Sequence, residues 1–222
     1  MTIQERYRIA IEYFTGKYPF PETELLYVNP FELIVAVILS AQCTDKRVNI
    51  ITPALLRSFP DAESMAKAEP AEIFEFIKSC SYPNNKAKHL SGMSRMLVSE
   101  FGGIIPSDPS LLQKLPGVGR KTANVVASVL FNKPVMAVDT HVFRVSARIG
   151  LVINAKTPLA SELQLTRHLP EETIHNAHHW LILHGRYICK ARKPICNSCG
   201  LTEICKFYLS KSKPAKKKIS KS

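Results

Sequence analysis

The chain has 222 residues, 45% hydrophobic and 22% charged, which is ordinary globular composition and excludes collagen, a long coiled coil and wholesale disorder. Its longest apolar run, residues 33–39, is too short for a membrane span of about 20 residues, and its N-terminus carries charges where a signal peptide is apolar. The formal net charge of +12 favours a polyanionic partner such as nucleic acid. We therefore expect a soluble, cytoplasmic protein, nucleoid-associated if the source is prokaryotic.

Apolar residues recur with the 3.6-residue period of a helix in eight segments, and no alternating strand pattern of useful length accompanies them. Most of the 15 prolines lie between these segments, where helices must end because proline lacks a backbone N–H. The sequence therefore predicts an all-α fold of about ten helices with short connections. The eight segments are 3–14, 31–39, 73–80, 87–101, 111–115, 121–131, 142–149 and 174–187.

The positive charge is concentrated at the C-terminal end. Residues 206–222 hold seven lysines and no acid, which leaves a net charge of +5 for the remainder. We expect residues 209–222 to form a disordered Lys-rich tail, because they cannot bury enough apolar surface to offset the entropy of ordering. Such a tail can raise DNA affinity without reading sequence, although it is equally typical of a purely solubilising segment.

The segment 115–126, LPGVGRKTANVV, combines a tight turn with a helix start near Arg120. Gly117 and Gly119 permit positive φ and close backbone approach, and the first N–H groups of the helix have no partner within it. Such a helix-hairpin-helix can hold a DNA phosphate through main-chain atoms, while the alternative is an ordinary corner between packed helices. The candidate DNA contacts are Leu115, Gly117, Val118, Gly119 and Arg120.

Lys121 follows in the first turn of the same helix. The positive end of the helix dipole and the cationic neighbour Arg120 both disfavour a charged ammonium there. A neutral lysine amine is a nucleophile that can form a Schiff base. A phosphate-binding cation would occupy the same place, so the residues alone leave both roles open.

Asp139 precedes an amphipathic helix within the segment VDTHVFRVSARIG, residues 138–150. The simple interpretation is an N-cap that accepts hydrogen bonds from helix N–H groups. In a cleft near a lysine, a carboxylate could also stabilise a cationic sugar intermediate or move protons. The polar face of this helix, which could contact phosphate or only solvent, carries His141, Arg144 and Arg148.

Four of the six cysteines share the spacing C-x6-C-x2-C-x5-C, which predicts a metal cage rather than disulfides. The spacing does not choose between zinc and a [4Fe–4S] cluster, since both use four thiolates. The ligand candidates are Cys189, Cys196, Cys199 and Cys205. The x6 loop between the first two carries three cations that could contact phosphates, Lys190, Arg192 and Lys193. Cys43 and Cys80 stand apart, and we expect them to be buried core thiols.

Four separated motifs precede or overlap this cysteine cluster in a fixed order. They are LSAQCTD at 39–45, LPGVGRKTAN at 115–124, VDTHVFR at 138–144 and HHWLILHGRYIC at 178–189. In this order, the chain resembles the endonuclease III family of bifunctional DNA glycosylase/AP lyases, from about residue 3 to residue 208. The resemblance implies a two-lobed helix-hairpin-helix DNA glycosylase fold with a DNA cleft between the lobes. A six-helix barrel would span 22–132, and 1–21 plus 133–208 would form the iron-sulfur cluster lobe.

The resemblance also implies roles for individual residues. Lys121 would attack C1′ of a nucleotide extruded from the duplex, displace an oxidised or ring-saturated pyrimidine and form a Schiff base, so that β-elimination nicks the strand 3′ to the AP site. Asp139 would assist the attack, and Gln42 would fill the gap left by the flipped nucleotide. The metal would be a [4Fe–4S] cluster, and the partner double-stranded DNA with damaged pyrimidines or AP sites. We expect a monomer.

One loop departs from the family's pattern. The family carries a segment similar to GLYNSKA with a leucine wedge, whereas residues 81–87 read SYPNNKA, which puts Tyr82 at the wedge position and Pro83 after it. Because an aromatic ring can stack between bases, we expect Tyr82 to act as the wedge. Two other classes remain open: a non-catalytic DNA-binding protein with structural zinc, and a monofunctional glycosylase that does not cut the backbone.

Overall fold

The computed structural model describes residues 1–212, in which the chain forms twelve α-helices, one short 3-10 helix and no β-strand. The predicted all-α class is therefore confirmed. None of these helices is long and apolar enough to span a membrane. The last helix continues to Ser212, so residues 209–212, which we expected in the disordered tail, are helical; the rest of that predicted tail, 213–222, lies outside the described residues.

The chain divides into two compact units. The first combines Met1–Pro21 with Val138–Ser222, and the second is Glu22–Ala137. The second boundary thus falls after Ala137, whereas the sequence analysis placed it between residues 132 and 133. The helices of the second unit are α2 (Pro30–Ser40), α3 (Asp45–Ser58), α4 (Ala62–Lys67), α5 (Pro70–Ile77), α6 (Pro83–Phe101), α7 (Pro109–Leu112) and α8 (Arg120–Phe131).

Helix α2 lies at the centre of the second unit. Residues 33–39 are at most 3% exposed, as expected of a helix that is apolar on all sides. It packs against α3, α6 and α8. Contacts on all sides therefore fix the position of α2. Gln42 lies two residues beyond the end of this helix.

Several prolines begin helices in this fold, where the sequence analysis took proline only as a helix end. They occupy the first helical position because the N–H that proline lacks would have no partner there, and its fixed φ suits the helix. These prolines are Pro30, Pro70, Pro83, Pro109 and Pro158.

The first unit is tied together by its N-terminal helix. The guanidinium of Arg6 donates to the carbonyl of Ile149 at 2.9 Å, and the Tyr7 hydroxyl donates to that of Leu151 at 3.0 Å. The Trp180 indole donates to the carbonyl of Tyr18 at 2.9 Å. Both ends of α1 are thus fixed to later helices. The helices of this unit are α1 (Ile3–Lys17), α9 (Thr140–Ile149), α10 (Pro158–His168), α11 (Glu171–Tyr187) and α12 (Lys206–Ser212).

Candidate functional site

The glycine turn between α7 and α8 has the backbone that a hairpin requires. Gly117 has φ +79°, and a Cβ at this position would lie 2.7 Å from the Cβ of His89. No other residue fits this position, because an L side chain would be strained in φ and would overlap α6. Gly119 has φ −82° and forms the N-cap of α8, with no side chain capping the helix.

The exposed surface of this turn consists mainly of backbone. The side chains of Leu115 and Val118 are only 2% and 5% exposed. Of the predicted DNA contacts, these two can therefore act only through main-chain atoms. Gly117, Gly119 and Arg120 are exposed. A helix start with no side-chain cap, next to exposed glycines, is an arrangement that suits a phosphate oxygen.

Lys121 is exposed on the first turn of α8. The opposite face of this helix is buried, including Ala123, Val126 and Ala127, so the backbone that carries Lys121 is anchored in the core. Asn124 adds a further anchor, since its amide donates to the carbonyl of Met136 at 3.0 Å. A flexible amine on a rigid base can reach a reacting carbon outside the protein surface.

Asp139 is the N-cap of α9, as the simple interpretation predicted. Its Oδ1 accepts hydrogen bonds from the backbone N–H groups of His141 and Val142, both at 2.8 Å. Both bonds go to one oxygen, which leaves Oδ2 for another partner. The cap fixes the direction of the half-buried carboxylate, so capping and a chemical role are compatible at this residue.

The two arginines on the polar face of α9 are engaged by the cysteine segment. The Arg144 guanidinium donates to the carbonyls of Gly185 and Cys189, at 2.9 and 3.2 Å. That of Arg148 donates to the carbonyls of Lys190 and Ala191, both at 2.8 Å. Their function in the fold is thus to hold the cysteine segment, rather than to contact solvent or phosphate as the sequence analysis considered. His141, a predicted DNA contact, is half-buried with Nδ1 3.2 Å from Arg144.

The four clustered cysteines line a single cavity of about 20 Å³. Its other walls are largely apolar, including Ile149, Ile188 and Phe207. Among the described residues, no group of three or more His, Cys, Asp or Glu side chains converges on a point suited to one metal ion. The four thiols are thus neighbours around one pocket. The three cations of the loop between the first two cysteines are exposed: Lys190, Arg192 and Lys193.

Gln42 and Tyr82 share an unusual backbone conformation. Each has φ +54°, in the left-handed region that glutamine and tyrosine seldom adopt, and residues held in this way are concentrated at functional sites. The Ser81 hydroxyl donates a hydrogen bond to the carbonyl of Gln42, which joins the two loops. Tyr82 is 62% exposed. The structure thus brings two predicted DNA contacts, from loops 40 residues apart in sequence, into one patch.

A buried lysine that the sequence analysis missed supports this patch. Lys86 is 5% exposed, and its Nζ donates to the carbonyls of Leu39 and Ala41, both at 2.8 Å. These carbonyls lie at the C-terminal end of α2, whose last turn contains no basic residue of its own. The absence of a basic residue from the last turn of α2 indicates that a cation from elsewhere could bind there. Nothing in the sequence points to position 86 as its source, because lysine is seldom buried.

The sequence and fold match a known class of protein. Residues 35–171, more than half of the chain, match the family model described as HhH-GPD superfamily base excision DNA repair protein. Proteins named endonuclease III are similar over most of their length. That of Rickettsia felis is 48% identical over 199 residues, 90% of this chain and 93% of the relative. That of Bacillus subtilis is 47% identical over 85% and 86% of the two chains, and that of Escherichia coli K12 42% over 85% and 89%.

Two solved structures extend the similarity to three dimensions. A trapped endonuclease III–DNA covalent intermediate, an estranged-adenine complex, superposes with a TM-score of 0.91 at 39% identity and covers 96% of this chain and 100% of its own. A non-covalent endonuclease III–DNA complex gives 0.90, also at 39% identity, with coverage of 95% and 99%. The chain therefore belongs to the endonuclease III family. The predicted class of enzyme, a base excision repair DNA glycosylase/AP lyase that acts on damaged pyrimidines, is confirmed.

Proposed function

We propose that Lys121 is the nucleophile of this enzyme and that Asp139 assists it. The observation that carries the proposal is the placement of Lys121: an exposed amine on a core-anchored helix start, directly beside the glycine turn. The solved relative that was trapped as a covalent intermediate with DNA supports a covalent step. Asp139 contributes a carboxylate whose direction is fixed by two backbone N–H groups and whose second oxygen is left for chemistry.

In the proposed reaction, the Lys121 amine attacks C1′ of the damaged nucleotide. The C1′–N bond to the base breaks, the base leaves with the electron pair, and the nitrogen loses a proton. Opening of the sugar ring gives a protonated Schiff base, which acidifies the 2′ hydrogen. Removal of that hydrogen expels the 3′ phosphate and nicks the strand. Asp139 stabilises the positive charge that develops on the sugar during base loss.

We further propose that DNA is held by two surfaces of the second unit. The main chain around Gly117 and Gly119, with Arg120, grips a phosphate without reading bases. Gln42 and Tyr82 enter the space of the extruded nucleotide, where the amide bonds the orphaned base and the ring stacks on its neighbour. The exposed cations of the x6 loop add phosphate contacts whose strength falls with salt: Lys190, Arg192 and Lys193.

We also propose that Cys189, Cys196, Cys199 and Cys205 would hold a [4Fe–4S] cluster. Four cysteine thiols that line one pocket supply the complete ligand set of such a cluster, and the resemblance to the endonuclease III family favours it over one zinc ion. When bound, the cluster supplies iron–thiolate bonds that close this segment into a fixed loop. Arg144 and Arg148 hold the same segment from α9 through its carbonyl groups.

Borohydride trapping on a duplex that contains thymine glycol tests the catalytic proposal, because only a Schiff base is reduced to a permanent protein–DNA adduct. We expect an adduct and a nick from the natural protein, and neither from Lys121→Ala. Lys114→Ala, which removes another exposed lysine just before the turn, is the control and should retain both. Full trapping by Lys121→Ala would overturn the assignment, and base release by the natural protein without an adduct would indicate a monofunctional glycosylase.

Iron analysis and the visible spectrum test the cluster independently. We expect about four iron atoms per chain and a broad visible absorption, which zinc cannot give. Cys199→Ala should lose iron, whereas Cys43→Ala, outside the cavity, should retain it. Stoichiometric zinc without iron would contradict the proposal.

A further inference from the structure

The two cysteines outside the cluster lie against each other. The Sγ atoms of Cys43 and Cys80 are 3.6 Å apart, although 37 residues separate them in sequence. A disulfide requires about 2.05 Å between the two sulfurs, so the gap to be closed is about 1.5 Å. The prediction of buried core thiols holds for Cys80, which is 5% exposed, but Cys43 is only half-buried. One member of the pair is therefore open to small reagents.

The two thiols differ in burial, so we expect them to react at different steps of an oxidation. Burial raises the pKa of Cys80 to about 11, and it outweighs the opposing effect of the cations Lys86 and Arg47. Cys80 is therefore a protonated thiol near neutral pH, which makes the more exposed Cys43 the thiol that an oxidant meets first. The order of events is a first oxidation at Cys43 and its resolution by Cys80.

We propose that Cys43 and Cys80 form a redox modification site, which a peroxide converts into a disulfide. The Cys43 sulfur attacks the peroxide, the O–O bond breaks, and a sulfenic acid forms while the thiol proton of Cys43 leaves with the departing oxygen as water or an alcohol. The Cys80 sulfur then attacks the sulfenic sulfur, an S–S bond forms, and the Cys80 proton leaves with the hydroxyl as water. Two thiols are oxidised and one peroxide is reduced.

The disulfide would act on the patch that contains Gln42 and Tyr82, and this consequence rests on the proposed function. Cys43 directly follows Gln42, and Cys80 lies two residues before Tyr82. At present the Ser81 hydroxyl joins the two loops by one reversible hydrogen bond. A covalent bond would fix their separation and prevent the adjustment by which Gln42 and Tyr82 enter the gap that an extruded nucleotide leaves in the duplex. The oxidised protein therefore binds lesion duplex more weakly, and a thiol reductant restores it.

Peptide mapping after mild treatment with hydrogen peroxide tests the modification without reference to DNA. We expect an alkylation-resistant tryptic pair, residues 18–46 joined to residues 79–86, which dithiothreitol separates. The visible spectrum, recorded in parallel, shows whether the cluster cysteines are still ligated. Absence of the joined peptides, or their recovery as sulfinic and sulfonic acids only, would overturn the proposed site.

Lesion-duplex affinity, measured by fluorescence anisotropy before and after peroxide, tests the consequence. We expect peroxide to lower the affinity of the natural protein at least fivefold and dithiothreitol to restore it. The affinity of Cys80→Ser and of Cys43→Ser should not change on treatment with peroxide. Joined peptides with unchanged affinity would overturn the effect on DNA binding. Failure of borohydride trapping would instead concern Lys121, so the two proposals fail separately.

Discussion

The Nζ atom of Lys86 donates a hydrogen bond at 2.8 Å to the carbonyl of Ala41, the residue that directly precedes Gln42. The same nitrogen also binds the carbonyl of Leu39, so one buried amine completes the last turn of α2. Burial lowers the pKa of this amine, and the neighbouring Cys80 and Cys43 oppose that shift. The Lys86 side chain on α6 therefore stabilises the backbone that directly precedes Gln42 and its left-handed conformation.

Replacement of Lys86 by methionine should destabilise the protein by about 1–3 kcal/mol, because it leaves two helix-end carbonyls without their partner. Urea unfolding measures the change. Lys88→Met, at an exposed position on the same helix, is the control and should change the free energy of unfolding by less than about 0.5 kcal/mol. Equal stability of the two variants would contradict the supporting role of Lys86.

The two glycines of the turn should respond differently to alanine. Gly117→Ala combines a strained φ with a Cβ placed 2.7 Å from His89, so we expect a loss of more than about 2 kcal/mol. Gly119 has an ordinary φ and nothing within 4 Å of an added Cβ, so Gly119→Ala should cost less than about 1 kcal/mol. Denaturant unfolding of the two variants measures both losses, and the reverse order would contradict the special requirement for glycine at position 117.

Tyr82 should contribute to lesion binding through its ring. Tyr82→Ala removes a stacking surface worth about 1–3 kcal/mol, which corresponds to a roughly 5- to 150-fold loss of affinity for lesion duplex. Tyr82→Phe keeps the ring and should bind nearly as well as the natural protein. Fluorescence anisotropy provides the measurement. An alanine variant with unchanged affinity and unchanged base extrusion would dismiss the wedge.

Asparagine and alanine separate the two roles of Asp139. Asparagine caps helices about as well as aspartate, so Asp139→Asn should change stability by less than about 0.5 kcal/mol, whereas Asp139→Ala should lose about 1 kcal/mol. Both variants lose the charge, so both should release the damaged base at least about 100-fold more slowly. If Asp139→Asn retains full activity, the residue is only a cap.

Acid should weaken the first unit through His179. This imidazole is 4% exposed, and burial, with the neighbouring rings of His178 and His175, lowers its pKa from 6.5 to about 3. The unfolded chain therefore takes up a proton below pH 6.5 that the folded chain refuses, so stability is complete above that pH and falls as the pH decreases towards 3. Between pH 7 and pH 5 the loss from this residue is about 2 kcal/mol.

Urea unfolding at the two pH values measures this effect, with His179→Gln as the comparison. The variant starts from lower stability because the packing of the ring is lost, but its decrease between pH 7 and pH 5 should be smaller by about 2 kcal/mol. The same pH dependence in both proteins would show that His179 is not the group responsible.

The strongly periodic helices could be predicted from the sequence, and the weakly patterned ones could not. Residues 33–39 are apolar on all sides, which favoured a buried helix, and α2 confirms it. Helix α3 was missed because Pro53 lies inside it, although Val48, Ile51 and Leu55 have helical spacing and are buried. Helix α10 was missed because Leu159 and Leu163 face solvent, so its apolar residues do not mark the core.

For the candidate site, local motifs were informative and contacts between distant segments were not. The glycine turn and the capping carboxylate of Asp139 follow from short-range rules of backbone geometry. The hydrogen bond from Ser81 to Gln42 and the burial of Lys86 depend on how α2 packs against α6. No spacing within a single segment carries that information, because these partners are about 40 residues or more apart.

The turn around Gly117 keeps its hydrophobic side chains inside and exposes peptide groups. A phosphodiester has the same shape and charge beside every base pair. The free energy with which peptide groups bind it is therefore nearly the same at each position along a duplex. Binding that does not depend on base sequence suits a protein that must search a whole chromosome for rare lesions, because the protein does not stay longer at particular sequences. Under the proposed function, discrimination of damaged from undamaged nucleotides therefore comes from residues outside this turn.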